Sequence, residues 1–521
     1  MADSGAPATA TLADQLALDR FVLSAAQHLP SSPAERLMRR LGLPLGIAVF
    51  AVLLMLPRAE GLTAAGQGAA AAFALALVWW VTEPVPTHVT SLTLMILLVL
   101  TRADTPTGVM SVLGLDVIWL NVMAFVLSAM LVKTRLAKRL ALMLIVRFGQ
   151  RASWALGAFV VLQLVLAPLI PATAARTVLT LPLMIAVASI YGATAEQNSN
   201  FGRNLFLLNL TAISVLSSTV MTGSAANLMA VGFIQTMGGH RVYYTDWLFA
   251  AAPIAVLTVV AAWAIGPKWI FPLAATERTP TLVGGVQAVV EARRELGPMT
   301  AVQWRAIAIF GFVLLLWATD RYQAAWFGIE IGAPIAAMIG ATIALLPRVG
   351  VIRWEDTEIP WHLMIFSAGA YAGGLALEKS GAAAWGVHRI FDGLQLQQLR
   401  FGVTYAIILA VMLYSHLLST SKTVRTVIMI PAVILLARGL GWDPVSLALP
   451  AAFTIDWVIG LPISGKPNVI LFGTNQYSVS NNLKYGLLVC TIGYLLLLLA
   501  GATWFHWLGL TPAFSALPPQ P

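Results

Sequence analysis

Two short stretches hold charged and hydroxylated side chains inside an otherwise apolar chain. One reads Ser421-Lys-Thr-Val-Arg425-Thr-Val-Ile-Met-Ile-Pro431 and the other Ala172-Thr-Ala-Ala-Arg176-Thr-Val-Leu-Thr-Leu-Pro182. A bare lysine at the centre of a membrane helix costs about 2.5–3.5 kcal/mol on insertion scales. Lys422 therefore needs a partner. It is read as a contact for an anion or a stand-in for a coupling cation, the alternative being a permanent ion pair. Asp456, in Phe453-Thr-Ile-Asp-Trp457, is the obvious counter-ion. A buried Asp–Lys pair that parts and re-forms can also carry a proton, so Asp456 is a candidate coupling site. Its plainer role is to neutralise Lys422 or Lys466. Arg176 and Arg425 lie one helical turn past the start of each stretch, where they either face the anion or brace the backbone from behind. Lys466 is read as lining a cavity rather than facing lipid. Four basic residues in these places argue for an anionic ligand over a cationic one.

Other chemistries lack their residues. There is no His-Glu-x-x-His run, no Cys/His ligand set and no nucleotide-binding P-loop. That speaks against an intramembrane enzyme, a resident metal or other cofactor, and primary active transport by this chain alone. The single Cys490 excludes a disulfide framework. His416 can titrate near neutrality, yet a lone histidine is more often a satisfied hydrogen-bonding group.

The elements that position these residues repeat. The two stretches are 249 positions apart (421 − 172). Upstream, Asn121-Val-Met-Ala-Phe125 parallels His362-Leu-Met-Ile-Phe366 at 241 positions. Downstream, Gly223-Ser-Ala-Ala-Asn227-Leu-Met-Ala-Val-Gly232 parallels Ser464-Gly-Lys-Pro-Asn468-Val-Ile-Leu-Phe-Gly473, again at 241. Each matched centre interrupts an apolar run with Gly, Ser, Thr or Pro. Backbone that breaks its helix inside a bilayer must be shielded by protein or line a watery cavity. Paired interruptions in two halves point to a transporter's binding site, and half-helix N-termini suit anions. Asn227 and Asn468 recur at these breaks and are assigned to the site, through their amides or the neighbouring backbone.

Composition gives the surroundings. Of 521 residues 59% are hydrophobic and only 10% charged, against about 25% charged in soluble proteins. Runs such as 154–170, 247–271 and 483–504, taken with their flanks, reach the roughly 20 residues that cross a bilayer. Residues 1–44 are polar and amphipathic, unlike a cleavable signal peptide. The net charge of +9 resides in short connections around Arg36–Arg40, Lys133–Arg151 and 273–305. By the positive-inside rule these are cytoplasmic, which makes the excess a topology signal and not a nucleic-acid footprint. The organisation expected is a cytoplasmic segment 1–42, a first membrane repeat 43–272, a cytoplasmic loop 273–305, a second repeat 306–510 and an external tail 511–521. A cytoplasmic N-terminus with an external C-terminus needs an odd number of crossings, about eleven.

These patches together resemble the divalent anion:sodium symporter family, carriers of di- and tricarboxylates and, in some members, sulfate. That family has two Ser-Asn-Thr hairpin tips, each followed by an Ala-rich stretch and a proline, and two Thr-Pro-Pro-Asn loops. Ser421-Lys422-Thr423 and Ala172-Thr173-Ala174 correspond to the tips, and Lys466-Pro467-Asn468 and Ser224-Ala225-Ala226-Asn227 to the loops. Trp80-Val-Thr-Glu83-Pro-Val-Pro86 is similar to the family's Trp-x-Thr-Glu-x-x-Pro. The resemblance runs from about residue 43 to 508. It implies an all-α polytopic fold of about eleven transmembrane helices: an inverted repeat with two re-entrant hairpins and two unwound helices. It also implies a homodimer in the inner membrane and an elevator-type movement. Thr173, Ala174, Ser421, Lys422 and Thr423 become substrate contacts with Arg176, Asn227, Lys466 and Asn468.

The departures carry equal weight. The family's tip asparagines help to bind sodium and substrate carboxylates, and here Thr173 and Lys422 match them, with Ala172 and Ala174 flanking the first. An ammonium group offers donors and a positive charge where sodium needs neutral oxygens. The expectation is secondary transport of a small organic anion with two or more negative groups, by exchange or proton linkage. The alternatives are sodium-coupled symport of a carboxylate, sulfonate or sulfate, and an anion channel.

Overall fold

The computed structural model describes residues 33–194, 199–281, 285–386, 399–418 and 421–519; residues 1–32 of the expected N-terminal segment and 282–284 of the expected loop lie outside them. Among the described residues the chain is helical, with no β-strand. Helices of seven or more residues are α1 (Pro33–Met55), α2 (Ala64–Thr82), α3 (Thr87–Leu100), α4 (Asp116–Lys133), α5 (Leu136–Phe148), α6 (Ala152–Leu166), α7 (Thr173–Ile190), α8 (Asn200–Val215), α9 (Ala225–Thr236) and α10 (Tyr244–Ile265). After α11 (Gly285–Glu295) follow α12 (Ala301–Ala318), α13 (Gly332–Leu345), α14 (Trp361–Lys379), α15 (Phe401–Tyr414), α16 (Lys422–Gly439), α17 (Pro444–Thr454), α18 (Lys466–Phe472) and α19 (Val479–Ala502). Among the described residues seven helices are long and apolar enough to cross a membrane, and six more are apolar but shorter. Several of the shorter ones are halves of broken elements.

The repeat is visible helix by helix. α7 and α16 begin and end 249 positions apart, α3 and α13 245 apart at both ends, and α9 and α18 start 241 apart. From the start of α2 to the end of α10 and from α12 to α19 the offset is 237 at both extremes. α1 has no counterpart among the described residues and packs on α2.

The contacts between chain turns show that the second unit is upside down. One layer of loops is tied by the Lys133–Asp356 ion pair, by Gln303 Nε2 donating to the Thr134 carbonyl (2.9 Å), by Ala152 N to the Arg278 carbonyl (3.0 Å), and by Asn200 N to Glu277 (2.7 Å). The other layer is tied by Trp385 Nε1 to the Glu60 carbonyl (3.1 Å), by Arg438–Glu378 (2.5 Å), His240–Asp443 (3.2 Å) and Arg321–Asp246 (2.9 Å). α2 starts in the second layer and α10 ends in the first. α12 starts in the first layer and α19 ends in the second. The repeats are therefore inverted. The hairpin α6–α7 leaves and re-enters the first layer, where Tyr191 Oη donates to the Gly149 carbonyl at 2.8 Å. The hairpin α15–α16 does the same from the second layer, so the two tips approach each other from opposite sides.

Close packing fixes these elements. At Gly369 on α14 an added Cβ would stand 2.4 Å from the Ser91 Cβ on α3, and at Gly486 on α19 it would stand 2.3 Å from the Ile459 carbonyl. The second contact presses α19 against the irregular segment between α17 and α18.

Candidate functional site

The site begins with the two helix breaks, whose free backbone groups need partners in a low-dielectric interior. Between α8 and α9 the chain runs through two 3-10 turns, Leu216–Thr219 and Met221–Gly223. Asn227 Nδ2 donates to the carbonyls of Ser217 (2.8 Å) and Val220 (3.1 Å), and Trp247 Nε1 donates to that of Ser218 (2.8 Å). Between α17 and α18 the pattern recurs 241 positions on. Asn468 Nδ2 donates to Val458 (2.7 Å) and Leu461 (2.9 Å), and Asn482 Nδ2 to Ile459 (2.8 Å). The matched asparagines thus hold the matched breaks open. Both are fully buried, and each leaves Oδ1 without a hydrogen-bond partner among the described residues.

The tip arginines clip each hairpin to its break. Arg176 is fully buried; its Nη2 bonds Ser217 Oγ and the Gly223 carbonyl (3.0 Å), reaching Ile213 at 3.5 Å. Arg425 bonds the Ile455 carbonyl (3.3 Å), Ser415 Oγ (3.0 Å) and the Met412 carbonyl. Both guanidiniums sit at carbonyl-rich helix ends, where the macrodipole favours a cation. Neither arginine lines the cavity described below. His416 completes the second clip: Gly460 N donates to its Nε2 (3.1 Å), its Nδ1 faces the Leu413 carbonyl (2.6 Å), and Ser464 Oγ donates to its backbone oxygen (3.1 Å). That bonding pattern suits an imidazole with its proton on Nδ1.

Between tips and breaks lies a chain of polar contacts drawn from both repeats. Lys422 Nζ, on the second tip, donates to Asp456 Oδ1 at 2.6 Å and to Thr173 Oγ1 of the first tip at 3.0 Å. Asp456 Oδ2 accepts from Ser224 Oγ of the first break at 2.5 Å. Lys422 is 20% exposed and Asp456 not at all. An ion pair this buried is strongly costly to break by removing one partner. One ammonium thus joins both tips to both breaks.

This chain borders a cavity of about 350 Å³. The first residues of four half-helices line it: Thr173 of α7, Ala225 of α9, Lys422 of α16 and Lys466 of α18. Each helix start presents N–H donors and about half a positive charge. Ala174, Ser421 and Thr423 also line it, and Glu83, Phe125 and Leu363 close it from the helices around. Lys466 is exposed and makes no hydrogen bond or ion pair among the described residues. Of the residues singled out in the sequence, Thr173, Ala174, Ser421, Lys422, Thr423 and Lys466 share this wall, and Asp456 stands directly behind it. Arg176, Asn227 and Asn468 lie in the frame that holds it. Sequence reasoning missed Ser224 as the second partner of Asp456, although Ser224-x-x-Asn227 carries a helix-capping signal, since Ser224 accepts from Asn227 N at 3.2 Å. Trp247 and Asn482 were also missed; neither stands in a motif.

Residues 38–511 match the family described as the transmembrane region of sodium:sulfate symporters. A membrane protein of Cupriavidus necator is 28% identical over 496 residues, covering 92% of this chain and 94% of that one. The sodium-dependent dicarboxylate transporter SdcS of Staphylococcus saprophyticus is 25% identical over 476 residues, with 88% and 90% covered. Among solved structures, the YdaH transporter of Alcanivorax borkumensis, reported for its unusual topology, aligns with a TM-score of 0.53 at 11% identity, over 92% of this chain and 99% of that one. That likeness is one of fold.

Proposed function

The chain belongs to the sodium:sulfate symporter family, and we propose that within it this protein is a secondary transporter of small organic anions, di- and tricarboxylates foremost, that needs no sodium. The observation that carries this reading is the placement of Lys422 between Asp456 and Thr173. A bound sodium ion would bring oxygens of a tip and a break together by coordination. Here a covalently attached ammonium does so by hydrogen bonds, and it cannot dissociate with the substrate. Asp456 balances its charge, so this centre moves across the membrane without a naked cation. Coupling then falls to exchange of one anion for another or to a proton, with Asp456 as its carrier.

The remaining parts of the reading follow from the same frame. Tips, breaks and cavity form the moving body, and α1, α2, α3, α12, α13 and their partners the scaffold of an elevator, paired as a homodimer in the inner membrane. The arginine-rich loop layer lies in the cytoplasm, with the N-terminus internal and about eleven crossings in all. A second reading, sodium-coupled symport, draws on the unpartnered Oδ1 atoms of Asn227 and Asn468, which are neutral oxygens of the kind sodium binds. An anion channel would share the broken helices but not saturate. Uptake of a carboxylate panel into proteoliposomes separates these. The transporter reading expects saturable flux accelerated by internal counter-substrate and indifferent to a sodium gradient. Non-saturating flux without counter-transport would overturn it.

A further inference from the structure

The cavity's positive side chains, Lys422 and Lys466, lie on one side. From the first repeat its wall takes Glu83, Phe125, Pro171, Ala172, Thr173, Ala174 and Ala225. Its one side-chain hydrogen-bond donor there is the Thr173 hydroxyl, already engaged by Lys422 at 3.0 Å, and the Glu83 carboxylate can only repel an anion. From the second repeat come two hydroxyls, of Ser421 and Thr423, and two ammonium groups, of Lys422 and Lys466. The Lys422 charge is balanced by Asp456 at 2.6 Å, whereas Lys466 has no counter-ion among the described residues. Arg176 and Arg425 are turned away onto backbone carbonyls. Glu83, 3.8 Å from Arg39, adds a carboxylate to the wall. What the first repeat offers an anion is the start of α7, whose N-cap Ala172 has no side-chain bond and which supplies about half a charge, and the start of α9, where Ser224 already takes Asn227 N and stands against the Asp456 carboxylate. A second full negative charge at that end would lie against methyl groups, where burial without a partner is costly.

We propose that the substrate binds with one ionised group on the second-repeat side and an uncharged end against Ala172, Ala174 and Ala225. A dicarboxylate is then carried as its singly protonated form, so the substrate brings a proton of its own, whether or not Asp456 carries another. This rests on the anion-transport reading above and narrows it.

The test compares succinate with its half-amide, succinamate, in proteoliposomes from about pH 5 to about pH 8. Above the second ionisation of succinate each pH unit removes about nine-tenths of the singly charged form, so its apparent KM should rise about tenfold per unit. Succinamate keeps one charge throughout and should show no such rise. Glu83, Asp456, Lys422 and Lys466, with His88 and His362 on the neighbouring α3 and α14, are common to both assays, so the difference between substrates reports the substrate's own proton. Ala174→Lys should flatten the succinate profile by supplying the missing charge. A succinate KM that is constant or falls as pH rises, with succinamate more than tenfold weaker, would overturn the inference and leave anion transport standing. Uptake of neither compound, nor of any anion in the panel, would remove the transport reading itself.

Discussion

The two breaks of this molecule are near copies, while the two tips are not. Asn227 and Asn468 each bridge two carbonyls at matched positions, and the next carbonyl in each break receives a side-chain donor from the following helix. The tips read Ala172-Thr173-Ala174 and Ser421-Lys422-Thr423 and share only a hydroxyl-bearing residue and a helix start. Holding a helix open in a bilayer leaves the same backbone groups to satisfy in both halves, so both halves use the same solution. Meeting a ligand leaves room for division of labour: one tip supplies charge and the other an accepting hydroxyl.

The largest effect should come from a break. Asn468→Leu removes the donor from two buried carbonyls, which should cost about 2–6 kcal/mol and abolish transport; Asn227→Leu should behave alike. Thermal unfolding in detergent checks it. Markedly unequal losses would break the equivalence of the two halves. Asp456→Asn comes next, stranding the Lys422 ammonium, at about 3–5 kcal/mol. Adding Lys422→Asn in the same chain should return most of that stability, because the pair and not either residue is what the frame requires. Additive losses in the double variant would show that the two do not act as a unit. Smaller still is the arginine contrast. Arg425 bonds through all three of its nitrogens, whereas Arg176 leaves Nε and Nη1 without partners among the described residues. Arg425→Lys should therefore lower the unfolding temperature more than Arg176→Lys. The smallest is Ser421→Ala, which removes the cap on Val424 N and should cost about 1 kcal/mol.

Much of this frame was legible in the chain because a repeat writes its constraints twice. The matched Asn227 and Asn468, the interrupted runs and the Arg-Thr-Val cores locate the breaks and tips without coordinates. Asp456 was legible as the partner of Lys422, since a buried lysine needs a carboxylate and few lie in apolar sequence. The join across the repeats was not legible. That Thr173 and Ser224 close the chain around Lys422 and Asp456 depends on two hairpins meeting tip to tip, and residues 249 and 232 positions apart leave no local pattern. The choice for Arg176 and Arg425, open between facing the anion and bracing the backbone, also needed geometry. A guanidinium serves either purpose, and only the position of the carbonyl-ended helices gives its direction.

The central claim is that Lys422, held between Asp456 and Thr173, does the joining that a sodium ion would otherwise do. It is tested most directly by uptake of a dicarboxylate into proteoliposomes at fixed pH and membrane potential, with all sodium replaced by choline. The account expects the same initial rate in both salts. A rate that collapses in choline and returns on adding sodium would contradict it.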